Sequence, residues 1–497
     1  MIKYIFEKKL RPTDCLIFPV WQDSALEAPL RETDRELGGH GAMILHTKDF
    51  TGKRLQTAFV YPENQPTPRL LLVGLGEAKN FSVRAWKCAI GTAIIQAQGK
   101  KAGHIAIMTP PSVAANLGFK KLGSATAIAM ATASYSYDEY KTDPEAKAIP
   151  IEEVQWLGEY PANDRRALEK GLEEGILMAD AINFARHLGN IPPTIMTPTL
   201  LANEAVDLAK RQKVKTTVLS REEMKKLGMG CLLAVSWGSI EEPKFIIVEY
   251  LGGPKNQKPT VLAGKGITYD SGGLTIKPME HLLNMKFDML GAATVLATIQ
   301  AAASLGLKKN IIGLIPSCEN MPGGEAYRPD DILVAMNGKS VEVGNTDAEG
   351  RLILADALAY AQRLNPKEVI DLATLTGACM VALGTERSGL FTPEDGLASK
   401  LISSAEAVGE CLWRLPLGEE FSEAIKSDVA DIKNFGGVDR PYYGGASTGA
   451  AFLQFFTDYP WAHIDMSCCY YPAKSRSWIR GGANGWGVET MVEYLNT

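Results

Sequence analysis

Residues Asn345 to Leu352 read Asn-Thr-Asp-Ala-Glu-Gly-Arg-Leu, setting two carboxylates and a guanidinium at alternate positions, Asp347, Glu349 and Arg351, ahead of an apolar helical run. In an extended segment the side-chain period is two, so all three are expected to point the same way. Adjacent carboxylates repel unless a positive charge lies between them, and a divalent cation is the usual resident. The octapeptide is a candidate metal site.

A second cluster lies upstream. Gly264-Lys265-Gly266-Ile267-Thr268-Tyr269-Asp270-Ser271-Gly272-Gly273 follows the strand-like run Thr260 to Ala263, and Lys277 and Asp288 come soon after. Its glycines allow tight turns and close approach of the backbone to a ligand. Together the clusters offer the carboxylates of Asp270, Asp288, Asp347 and Glu349 and the cations Lys265, Lys277 and Arg351. The six histidines show no HExxH or other paired spacing, so a histidine-built zinc site is not signalled and carboxylates must do the ligation. Such oxygen-rich sites suit Zn²⁺, Mn²⁺ or Mg²⁺, and four acids can serve a pair of ions ~3.5 to 4 Å apart.

Each feature has a plainer reading. Asp347 and Glu349 also suit the N-terminus of a helix, Arg351 a surface pair with Glu349, and Lys277 a solvated loop. Asp288 resists such a reading, because it interrupts the largely apolar Met285 to Leu290, where an unpaired acid is costly.

The stretches Gly264 to Pro278, Met285 to Leu296, Val341 to Leu358 and Asp371 to Gly384 resemble the motifs of the leucyl aminopeptidase family, the dinuclear-metal cytosol aminopeptidases. The resemblance implies an enzyme that hydrolyses the N-terminal residue of peptides, leucine or another apolar residue preferred. Its implied cofactors are two divalent ions, Zn or Mn with Mg or Co as alternatives. By resemblance, Asp270 and Glu349 bridge the ions, Asp347 completes one site, and Asp288 with the neutral amine of Lys265 completes the other. Lys277 polarises the scissile carbonyl, and Arg351 holds a bicarbonate that accepts the proton of the attacking water. Met285, Asn345, Ala348, Thr374, Leu375 and Gly377 match positions that hold the substrate. A homohexamer is implied as well. Departures from the family pattern fall at Gly344, from Gly436 to Ser447 and from Asp465 to Tyr470, the last bordering the expected specificity pocket.

These residues need a scaffold. At 497 residues, with 46% hydrophobic and 22% charged residues, the chain has the composition of a globular protein of two or three domains. Short apolar runs at Cys15 to Val20, Ala42 to His46, Ala58 to Tyr61, Leu70 to Leu75 and His104 to Met108 read as strands, and Ser82 to Ala97 and Ser124 to Ala133 as helices. They predict an N-terminal α/β domain over 1–150, macrodomain-like and engaged in assembly by the resemblance. A connecting helix is expected over 151–190, stopped by Pro192 and Pro193. Strands at Thr216, Phe245, Thr260, Ile311 and Val369 alternate with helices at Leu200, Met289 and Leu352, so residues 191–497 should form a larger catalytic α/β domain with a largely parallel sheet. In such sheets ligands collect beyond the carboxyl ends of strands, where Lys265, Asp270 and Thr374 to Gly377 fall.

A net charge of −5 argues against a nucleic-acid partner. Gly74-Leu75-Gly76 has Lys79 where a dinucleotide fingerprint needs glycine, and Gly264-Lys265 has Pro259 where a phosphate loop needs one. No signal peptide and no run of ~18 apolar residues is evident, so a cytoplasmic protein without a membrane span is expected. Two rival readings stand: the same centre acting on dipeptides such as cysteinylglycine, and a regulatory protein whose first domain binds a nucleotide or DNA.

Overall fold

A computed structural model describes residues 2–63, 65–436, 443–472 and 476–497 of the chain. Arg440, Pro441 and Tyr442, within one of the divergent segments, lie outside the described residues. The chain divides into two compact units, one of Met1–Asn183 with Pro472–Gly481, the other of Phe184–Tyr471 with Gly482–Thr497. The division comes within the 29-residue helix Ala162–Asn190, which ends just before the two prolines.

In the first unit, strands β1 (Lys3–Glu7), β2 (Cys15–Trp21), β3 (Thr57–Val60), β4 (Leu70–Gly76), β5 (His104–Met108) and β6 (Glu153–Leu157) form one sheet in the order β1-β6-β5-β2-β4-β3. Only β3 runs antiparallel to its neighbour. Strands β2 and β4 are buried along their whole length, which is why they read as unbroken apolar runs rather than alternating ones. The expected strand at Ala42 to His46 is instead part of the helix His40–His46. The buried Asp34 carboxylate accepts hydrogen bonds from the Gly41 and Ala42 amides at 2.7 and 2.9 Å, capping that helix from a distance no local periodicity reveals.

The second unit is built on β7 (Lys215–Leu219), β8 (Lys244–Leu251), β9 (Thr260–Gly264), β10 (Gly266–Asp270), β11 (Asn310–Asn320), β12 (Ile332–Val334), β13 (Ser340–Glu342), β14 (Glu368–Ala373), β15 (Ser388–Phe391), β16 (Leu412–Arg414), β17 (Ile432–Lys433) and β18 (Trp461–Asp465). Its main sheet has the order β16-β15-β18-β14-β9-β11-β8-β7, with β10 also on β11. The centre, β18-β14-β9-β11, is parallel, and antiparallel pairs occur toward the margins. A small sheet, β12-β13-β17, stands apart.

One irregularity positions the chemistry. β9 lies between β11 and β14, but beyond Gly264 the chain continues along β11 as β10 and pairs no further with β14. Lys265 sits at this fork, its amide donating to Leu372 O at 3.0 Å and its carbonyl accepting from Ala292 N at 2.9 Å. The helix Leu290–Leu305 begins beside it and is buried over nearly its whole length. Among the described residues Met285–Leu305 is long and apolar enough to cross a membrane, yet 83% of its apolar window is buried inside the protein, as expected of a core helix between layers. Gly291 makes this packing possible, since a Cβ there would lie 2.1 Å from Leu372 O and 2.9 Å from Lys265 N. Alanine normally gains ~1 kcal/mol over glycine inside a helix. Here overpacking against rigid strand backbone reverses the sign, and Gly291→Ala is expected to destabilise by about 3 kcal/mol in urea unfolding; a variant as stable as the parent would show that the helix can move.

None of the eight cysteines is in a disulfide, and only Cys411 is partly exposed, consistent with thiols used as small apolar residues.

Candidate metal centre

Lys265, Asp270, Asp288, Asp347 and Glu349 come together at the carboxyl end of the central strands. Asp270 ends β10, Asp288 lies in the short 3₁₀ turn Met285–Met289, and Glu349 opens the helix Glu349–Gln362. The octapeptide is not extended: Asp347 lies in a turn and Glu349 and Arg351 occupy the first helical turn. Glu349 meets Asp347 because a turn folds back onto a helix start, and Arg351 takes a separate direction, donating from Nη1 to Asn434 O at 2.9 Å.

Oxygen atoms of Asp270, Asp347 and Glu349 lie within 4.8 Å of one another. Lys265 Nζ sits 2.9 Å from Asp288 Oδ2 and 2.8 Å from Glu349 Oε1, and donates to Thr374 O at 2.9 Å. Lys277 Nζ sits 2.8 Å from Asp270 Oδ2 and 2.5 Å from Asp347 Oδ1. Each ammonium therefore spans one carboxylate pair, occupying the kind of position a cation takes. The buried Glu349 Oε2 has no hydrogen-bond partner among the described residues, an arrangement that favours a further positive ligand. The donors are hard oxygens with one amine, which fits divalent ions.

Burial pushes the Lys265 amine down, but the charges of Asp288, Glu349 and Asp270 outweigh it and hold the amine above its ordinary range. Lys277 is raised in the same way. The close carboxylates favour the protonated form of each amine and so outweigh the loss of hydration on burial. Burial, with the charges of Asp270 and Glu349, raises Asp347 and Asp288 despite the pull of the lysines. The cluster carries more negative charge than its two ammoniums cancel. Gly350 gives the Lys265 amine its room, since a Cβ at that position would lie 2.6 Å from Nζ.

Of the expected substrate positions, Thr374 touches the Asp288 and Lys265 side chains. Thr374 donates through Oγ1 to Asp288 Oδ1 at 2.7 Å. Asn345 Oδ1 accepts from Asp347 N at 2.8 Å, and Ala348 directly precedes Glu349. Met285 starts the turn that carries Asp288, while Leu375 lies between β14 and the helix that Gly377 opens. In the divergent stretch after β18, the Tyr470 ring stacks on Phe287 with centroids 4.8 Å apart.

Several supporting residues escape a reading of the sequence alone. Asn320 Nδ2 donates to Asp270 Oδ1 at 2.8 Å and to Thr346 O at 3.0 Å, and Tyr327 adds a hydrogen bond to the same carbonyl at 2.7 Å. Asn434, brought beside the octapeptide by the β13-β17 pairing, accepts from the amides of Gly344 and Asn345 at 2.8 and 3.2 Å and donates to Asn345 O at 2.7 Å. Asp465 binds the Leu375 and Thr376 amides. A lone Asn or Asp carries no spacing signal; adjacent strand ends reveal these.

A parallel-centred α/β sheet with an acidic, lysine-bridged cluster at its strand ends defines a protein of the α/β class with a candidate divalent-metal site. The catalytic domain of the cytosol aminopeptidase family matches residues 183–492, and the N-terminal domain of that family matches residues 17–144. A probable cytosol aminopeptidase of Paraburkholderia phymatum is 38% identical over 488 residues, covering 97% of this chain and 94% of the relative, and one of Burkholderia mallei is 38% identical over 496 residues. A solved tomato leucine aminopeptidase mutant matches with TM-score 0.86 at 32% identity, over 100% of this chain and 96% of that one. The bottromycin maturation enzyme BotP in complex with Mn matches with TM-score 0.82 at 32% identity, over 97% and 99%. The chain belongs to the cytosol aminopeptidase family. It is a metal-dependent aminopeptidase that removes N-terminal residues from peptides, with divalent ions as its cofactor.

Proposed function

We propose that Lys265, Asp270, Asp288, Asp347 and Glu349 hold two divalent ions, Zn or Mn in the first instance with Mg or Co as alternatives, and that Lys277 and Arg351 are catalytic. The observation that carries this reading is the convergence of three chain segments on one cluster, in which ammonium groups sit between carboxylate pairs and Glu349 retains an unpartnered oxygen. Asp270, Asp347 and Glu349, whose oxygens lie within 4.8 Å of one another, would hold the ions together with Asp288 and Lys265. Bound divalent ions supply Lewis acidity, lowering the pKa of coordinated water and polarising a carbonyl oxygen.

The chain's own residues do the rest. Lys277, on a loop and only 14% exposed, holds a positive charge where negative charge develops on the scissile carbonyl oxygen. Arg351 is buried, and its Nε has no hydrogen-bond partner among the described residues, which suits it to hold a bicarbonate. Burial lowers the guanidinium only to about 10, so it stays cationic near neutral pH. Such an anion supplies the base that a guanidinium cannot be. Met285, Asn345, Ala348, Thr374, Leu375 and Gly377 bind the first residue of the substrate, and the apolar Met285 and Leu375 favour leucine or another apolar side chain.

A homohexamer in the cytoplasm, assembled with help from the N-terminal domain, follows the family pattern. The test is metal analysis of the purified protein by mass spectrometry, followed by turnover of leucyl, methionyl and cysteinyl amides with each metal restored. Two ions per chain and fastest release of leucine or methionine are expected. Preference for the cysteinyl amide would favour the cysteinylglycine alternative.

A further inference from the structure

Asp465 ends β18 and is 1% exposed, yet among the described residues no lysine or arginine lies within ion-pair distance of it. Beyond the charges of His463 and Arg351, three hydrogen bonds hold it: Oδ1 accepts from Leu375 N at 3.1 Å and Thr376 N at 3.3 Å, and Oδ2 accepts from Thr376 Oγ1 at 2.7 Å. The Thr376 hydroxyl, having given its hydrogen to Asp465, accepts from Cys379 N at 3.0 Å and caps the helix Gly377–Leu383. All three donors to Asp465 belong to the segment that leaves β14, the strand paired with β18 through Ala373 and Asp465.

The residue before these two is Thr374, whose hydroxyl reaches Asp288 Oδ1 at 2.7 Å and whose carbonyl accepts from Lys265 Nζ at 2.9 Å. Two of the candidate ligands are thus oriented by one residue of the clamped segment. A buried carboxylate without an ion partner is costly, and merely capping two amides does not require charge. The acceptor at Oδ2 is what fixes which way the Thr376 hydroxyl hydrogen points.

We propose that Asp465 is a positioning residue for the metal centre, clamping Leu375 and Thr376 so that Thr374 holds Lys265 and Asp288 in ligating orientation. This rests on the assignment of Lys265 and Asp288 as ligands. In Asp465→Asn, the side-chain oxygen still accepts from the two amides, but its NH₂ faces the Thr376 hydroxyl, whose hydrogen must turn away. The segment loosens while the shape of the core is kept.

The experiment titrates Mn²⁺ into chelated enzyme by calorimetry and measures kcat/KM on a leucyl amide, alongside thermal unfolding. Asp465→Asn is expected to unfold near the parental temperature, bind Mn²⁺ about 10- to 100-fold more weakly, and lose a similar factor in kcat/KM, the usual cost of removing support for a metal ligand. Thr376→Val should reproduce the loss and Thr376→Ser should restore it. Parental Mn²⁺ affinity and turnover in folded Asp465→Asn would overturn the proposal; should that variant fail to fold, the same result in Thr376→Val would overturn it. Failure of the ligand assignment is read separately, as an Asp288→Ala protein that keeps both ions.

Discussion

Replacing Asp347 by alanine is expected to remove metal binding and turnover in a single step, and Glu349→Ala should do the same. In the structure both acids face one small volume with Asp270, and Lys277 and Lys265 offset only part of their charge. Loss of one carboxylate from such a set leaves a divalent ion short of a ligand and brings the acids nearer to balance by the lysines. The ion is then no longer favoured. Because the ions account for the activation of water, kcat/KM should fall by about 10³-fold or more, equivalent to ~4 kcal/mol of transition-state stabilisation. Metal content by mass spectrometry and steady-state kinetics on the same preparation check this, and a variant with both metals and full activity would contradict the site.

The second large effect concerns Lys277. Lys277→Met keeps the length of the side chain and removes its charge, so kcat is expected to drop about 10²- to 10³-fold, the usual consequence of deleting one donor to a developing oxyanion. KM should change little and metal content should be retained, since removing a cation from beside Asp270 and Asp347 does not weaken their hold on a divalent ion. This separates a catalytic lysine from a ligating one. If instead the variant loses its ions while kcat per bound ion stays parental, Lys277 serves the metal and not the carbonyl.

Much of the candidate site is legible in the amino-acid sequence, because it is concentrated at strand ends and helix starts where short motifs survive as contiguous text. Gly264 to Gly273 and Asn345 to Leu352 are such motifs, and the lysines and acids in them do converge. The route by which they converge is not legible there. An alternating pattern implies an extended octapeptide, whereas a turn and a helix start place Asp347 beside Glu349 and send Arg351 toward Asn434. Likewise, the run Ala42 to His46 carries an apolar pattern compatible with a strand, and Asp34, several residues earlier, makes it a helix.

By itself the sequence determined the chemical inventory: four acids, two lysines and an arginine in largely apolar segments, on an alternation of strands and helices that permits a parallel-centred sheet. Local spacing records such things because propensity and burial act over a few residues. Only the tertiary structure decided the pairing. The fork between β9 and β10 sets Lys265 between Asp288 and Glu349, and the adjacency of β14 and β18 brings Asp465 to Leu375 across 90 positions of chain. Hydrogen bonds between distant strand ends depend on sheet order, which no window of neighbouring residues encodes.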